Sequence, residues 1–93
     1  MKYTDIVDYI DGLDNLTKIE LTIEADEYGN FYVVKTKETF VYGTEDEADA
    51  KVDSVRLKPG FAGVDRKFKA GKMNKAGEQT KPDTWTVVAK LNK

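Results

Sequence analysis

Arg66, Lys67, Lys69, Lys72, Lys75 and Lys81 fall within sixteen residues, with Asp65 and Glu78 the acids in their neighbourhood. Phe61, Phe68 and Trp85 flank the cluster, and Trp85 is the only tryptophan. Flexible cations suit a polyanion because each neutralised phosphate releases condensed counterions, and exposed rings offer planes on which unpaired bases stack. The chemistry favoured is contact with single-stranded DNA or RNA, with Arg66, Lys67, Lys69, Lys72 and Lys75 on phosphates and Phe61, Phe68 or Trp85 on bases. A competing reading is structural. A lysine-rich hairpin also keeps a sheet edge soluble and unpaired, and Trp85 shares its strand face with Val87, Ala89 and Leu91, as a core residue would.

The acids gather in the other half of the chain. Residues 1–50 carry thirteen Asp/Glu against four Lys, and residues 51–93 eleven Lys/Arg against four acids, beneath a net charge of −2. Such asymmetry hints at an interaction surface unless folding interleaves the two halves. Asp5, Asp8, Asp11 and Asp14 recur every three residues, but at 3.6 residues per turn that row drifts around a helix and Asp14 lies past its expected end. No closing glutamate completes a calcium loop. Glu45, Asp46, Glu47 and Asp49 point in different directions on a helix, so no metal site is expected. Asp5, Asp8, Asp11, Glu45, Asp46 and Glu47 instead suit a basic protein partner. A small interaction, assembly or inhibitor module is therefore the second functional reading, with self-association left open.

Cysteine and histidine are both absent, which excludes disulfides, thiolate zinc sites and imidazole chemistry. No carboxylate pair stands out for acid–base work, so neither enzymatic activity nor a cofactor is expected. The longest apolar run, Phe31 to Val34, is far below the roughly 20 residues of a membrane span. The first ten residues lack a signal-like apolar stretch. A soluble, cytoplasmic protein without membrane contact is the expectation.

Ninety-three residues support one domain. Tyr3, Ile6, Val7, Ile10 and Leu13 have helical spacing, predicting a helix over Asp5–Asp11 with Thr4 as N-cap and Gly12 as a left-handed stop. Thr17 to Asp26 alternates as a strand, and Glu27–Asn30 turns it into a long run, Phe31 to Tyr42. Neither face of that run is uniformly apolar, which predicts a bulge near Lys37–Glu38. Thr44 and Glu47 form a capping box for a helix over Glu45–Val52. Asp53 to Lys58 looks extended, with Val55 and Leu57 inward, and Lys58-Pro59-Gly60-Phe61 reads as a type II turn. Phe61–Lys69 and Thr84–Leu91 are strands around a long basic loop, Ala70–Asp83. In the first of them Arg66 shares a face with Val64 and Phe68. The fold class is α+β, mainly antiparallel: an OB-like barrel or curled sheet of five to six strands, with a short N-terminal helix and another between strands three and four. An open sheet under the N-terminal helix is the alternative.

Overall fold

The computed structural model describes residues 1–93. A 3-10 turn, Tyr3–Asp5, leads into α1 (Ile6–Asp11), followed by β1 (Leu16–Ala25), β2 (Phe31–Tyr42), α2 (Glu45–Arg56), β3 (Phe61–Lys69), β4 (Lys72–Met73), β5 (Gln79–Lys81) and β6 (Thr84–Asn92). Four strands form one antiparallel sheet in the order β1-β2-β6-β3, and β4 pairs with β5 alone. The α+β, mainly antiparallel class is as expected. The sheet does not close into a barrel: β1 and β3 are both edges, and the second helix follows the second strand because Phe31–Tyr42 is uninterrupted.

Both helices lie on one face of the sheet. Phe40, Tyr42, Val87, Ala89 and Leu91 point up from β2 and β6 to meet Ala48 and Val55 of α2, with Leu13, Leu16, Val52, Val64 and Trp85 packed around them. Alternation along a strand therefore turns the other face outward, and no helix covers it.

Thr44 caps α2 as its spacing predicts, accepting the Glu47 N–H at 3.3 Å while its hydroxyl donates to Glu47 Oε1 at 2.9 Å. The helix runs on through Asp53–Arg56, replacing the expected strand. Val55 is buried on it, but Leu57 at the C-cap is exposed. Apolar spacing of three and four residues from Ala48 to Val52 to Val55 suits the longer helix, and Pro59 ends it. In the N-terminal helix Thr4 does not cap and Gly12 has φ −82°. The positive φ falls instead on Asn15, at 64°.

The inward face of β2 holds the least expected residue. Glu38 is fully buried, and Thr36 nearly so, in line with Phe40 and Tyr42. The bulge lies not at Lys37–Glu38 but earlier in the strand, where Thr22 and Ile23 of β1 pair with Lys35 and Val33 and so skip Val34. That skip turns Val33 inward, where it is completely buried. Glu38 stays inside because it has donors: Tyr9 Oη at 2.5 Å and Thr36 Oγ1 at 2.7 Å both bond to Oε2, leaving Oε1 without a partner. This bond ties α1 to the sheet beside its one buried residue, Ile6. Lys93 Nζ in turn donates to Tyr9 Oη at 2.7 Å, and Lys51 lies over the Phe40 ring.

Burial, then the bond to Glu38, pushes the Tyr9 phenol well above its ordinary value. The folded chain keeps that proton where the unfolded chain loses it. Stability from this group is therefore complete below about pH 10 and declines above it. Lys51 and Lys93 are pushed downward by burial, and Lys58 adds to the shift of each. Their contribution rises with pH until about 10.5. Melting temperature is expected to fall above about pH 10.5, and Tyr9→Phe to flatten that fall. An alkaline slope unchanged in Tyr9→Phe would show that the phenol is not its source.

Candidate nucleic-acid interface

The uncovered face is organised by strand register. One outward row carries Thr22, Lys35 and Asn92; the next holds Glu20, Lys37, Lys90 and Gly63; the third holds Lys18, Thr39, Val88 and Asp65. Val41, Thr86 and Lys67 make the fourth, and Thr84 with Lys69 the fifth. Rows two residues apart along a strand are spaced about 6.7 Å. Lys35 and Lys37 on β2, Lys90 on β6, then Lys67 and Lys69 on β3 thus trace a diagonal of cations across three neighbouring strands. Lys18 stands off this line on β1, bonded to Glu20 at 3.1 Å.

The acids of this face sit on its edges: Glu20 and Glu24 on β1, Asp65 on β3. The two central strands turn no acid outward. The Glu20 carboxyl is held below its ordinary range by the hydrogen bond and charge of Lys18, with Lys37 adding to the effect. Lys37 and Lys90 are direct cross-strand partners, and like charges placed opposite each other destabilise a sheet. A shallow concavity of about 350 Å³ lies beside them, lined by Lys35, Lys37 and Lys90 together with Glu20, Thr22, Thr36, Ala62, Leu91 and Asn92.

The residues singled out from sequence separate into three places. Lys67 and Lys69 lie on the uncovered face. Arg66 lies on the helical face, where its guanidinium bonds Asp49 at 2.7 Å and Glu45 at 3.3 Å on α2. Those carboxylates resolve the conflict of an arginine in register with Val64 and Phe68, since the rim of the helix supplies its partners. Phe61, Phe68 and Trp85 also belong to the helical side. Phe68 and Trp85 are cross-strand partners with ring centroids 5.0 Å apart, Phe68 well exposed and Trp85 partly buried. The rings therefore project from the opposite face to Lys67 and Lys69.

Lys72 and Lys75 lie in the segment expected as a loop, which instead forms an arm, the β4–β5 hairpin. Asn74 Oδ1 accepts the N–H groups of Ala76 and Glu78, and Gly77 takes φ +80°. Asp26-Glu27-Tyr28-Gly29-Asn30 makes the same construction at the other end of the molecule, with Asp26 Oδ1 accepting from Tyr28 and Asn30. A polar residue that organises the turn four positions before its closing partner is the shared signature.

Lys35, Lys37 and Lys90 are not singled out by the sequence. Alternation along each strand turns them outward, but only the pairing of β2 with β6 places them side by side. The acids expected to meet a basic partner lie on the helical side. Glu45 is engaged by Arg66 and Glu47 by Thr44, while Asp5, Asp8, Asp11 and Asp46 are exposed. No cluster of three or more carboxylates is arranged to hold a metal ion, and no helix is long and apolar enough to cross a membrane. Comparison with protein families, with curated proteins and with solved structures gave no match.

Proposed function

We propose that the protein binds single-stranded nucleic acid through its phosphate backbone, without catalysis, on the uncovered face of the sheet. The observation carrying this reading is the diagonal of Lys35, Lys37, Lys90, Lys67 and Lys69, none of which forms an ion pair within the protein. Lys35 and Lys37, like Lys67 and Lys69, stand about 6.7 Å apart along their strands, and Lys37 and Lys90 are neighbours across one pairing. The row of Thr39, Val88 and Asp65 separates Lys90 from Lys67, so the line is two clusters of cations that one phosphodiester strand can bridge. Between the cations the face bears Thr39, Val41, Thr86 and Val88 and no ring on which to stack a base, and the ring of Tyr32, opposite Glu24, lies beyond Lys35 at the far end. Binding is therefore indifferent to sequence. Trp85, on the opposite face, changes little in fluorescence.

Five phosphate contacts give a log–log salt slope of about −3.5 on a single strand. Titration of a labelled oligothymidine between about 50 and 200 mM salt tests this. Failure to bind at the lower salt, or affinity independent of salt, would end the proposal. A basic protein docking on the acidic helical side is the second reading, favoured by the segregation of exposed Asp5, Asp8, Asp11 and Asp46 from the lysine face. It requires retention of a basic partner that is lost when those four are changed to Asn.

A further inference from the structure

Past Gly71 and Asp83 the arm carries three more exposed lysines, Lys72, Lys75 and Lys81, against one acid, Glu78. Lys72 and Lys81 are direct partners across the two arm strands, repeating the like-charge pairing of Lys37 with Lys90. Two such pairs in one molecule each cost stability, and each is relieved by an anion laid between its members. The chain from Lys81 to Lys90, strand except at Pro82 and Asp83, covers at most about 30 Å.

The arm continues the axis of the sheet. Twelve residues of β2 span about 40 Å, and some eight more from Trp85 to the arm tip add about 26 Å. The molecule measures 63 × 23 × 17 Å, a length that the sheet reaches only with the arm extended. The joint is closely made. Gly71 donates its N–H to Asp83 Oδ1 at 2.6 Å, and a Cβ on Gly71 would stand 2.0 Å from the Lys81 carbonyl oxygen. Beyond that joint the arm's side chains are exposed.

We infer that the arm is the second half of the binding site, so that the ligand is a nucleic-acid strand longer than the sheet, engaged over about 45 Å from Lys35 to Lys75. This inference rests on the proposed function and extends it. At about 3.4 Å per stacked nucleotide, the sheet alone accommodates about eight nucleotides and the full path about thirteen. A short strand fills the sheet and leaves the arm free.

The test compares labelled oligothymidines of about 6 and 20 nucleotides on the wild-type chain and on a variant combining Lys72→Gln, Lys75→Gln and Lys81→Gln, with thermal melting to show that the sheet is intact. With eight cations engaged, the longer strand is expected to show a salt slope of about −5.6 on the wild type and about −3.5 on the variant. The shorter strand binds both equally. A slope for the longer strand unaffected by the three substitutions would overturn the arm's role while leaving the sheet site standing. A shorter strand weakened as much as the longer would overturn the extended path. Absence of binding by either oligonucleotide to the wild type at low salt would remove the underlying function and the arm's role with it.

Discussion

Lys90→Glu is expected to make the protein more stable and its binding weaker at once. In the wild type Lys90 faces Lys37 across the two central strands. The substitution turns a like-charge pair into an opposite-charge pair. Each arrangement is worth roughly 0.2 to 1 kcal/mol with opposite sign, so the swing is about 1 kcal/mol at low salt. For a domain of this size that raises the melting temperature by about 4 to 8 °C. Binding moves the other way, because Lys90 is lost and Lys37 becomes engaged by the new carboxylate. Two fewer phosphate contacts reduce the salt slope by about 1.4. A substitution that merely damaged the fold would lower both quantities. Greater stability with undiminished oligonucleotide binding would take Lys37 and Lys90 out of the site.

Gly60→Ala is expected to be the most destabilising of the glycine substitutions in turns. Gly60 closes the type II turn that its Pro59-Gly60 pair predicts, with φ +80° and a bond of 3.3 Å from the Phe61 N–H to the Lys58 carbonyl. Its own carbonyl accepts the Asn92 N–H at 2.7 Å, which presses the turn against the end of β6. A Cβ there would stand 1.9 Å from the Asn92 carbonyl oxygen. Backbone must move, and the contact that fixes the α2–β3 connection to β6 is lost with it. Gly29 is the internal control, having φ +81° with nothing within 4 Å of the place a Cβ would take. Gly29→Ala incurs only the left-handed penalty, about 1 to 2 kcal/mol. Gly60→Ala adds the collision, for a total above about 3 kcal/mol, in a domain whose whole stability is of order 5 to 14 kcal/mol. Denaturant midpoints of the two variants measure the difference. Equal losses would show that the turn yields without strain.

Local rules made much of this fold legible. The period-2 pattern of β1 and β6, the Thr44 cap and the Pro59-Gly60 turn each depend on a few neighbouring residues and stand where those residues put them. The end of α2 was hidden because Val55 is apolar at a position that suits either a strand or a third helical turn, and only packing on Phe40 and Val87 separates the two. Glu38 was hidden for a related reason. A carboxylate in a strand reads as outward unless its donors are known, and Tyr9 lies 29 residues away.

The site divides in the same manner. Lys67, Lys69, Lys72 and Lys75 could be grouped because they are close in sequence. Alternation already puts Arg66 on the other face of its strand from Lys67 and Lys69, but its partners there, Glu45 and Asp49, lie 21 and 17 residues away and are not legible from spacing. Lys35 and Lys37 belong to β2 and Lys90 to β6, with α2, β3 and the whole arm between them in the chain. Sequence proximity carries no trace of such a meeting. The charge division between the halves of the chain survives folding in altered form. Acids of α1 and α2 lie over one face of the sheet, and the lysines of β2, β6 and β3 run across the other.

Lysine acetylation followed by mass spectrometry, with and without a long oligothymidine at low salt, tests the central claim most directly. The expected result is protection of Lys35, Lys37, Lys67, Lys69 and Lys90, while Lys2, Lys51 and Lys58 react as before. Protection confined to the helical side, or spread evenly over every lysine, would contradict a binding site on the uncovered face.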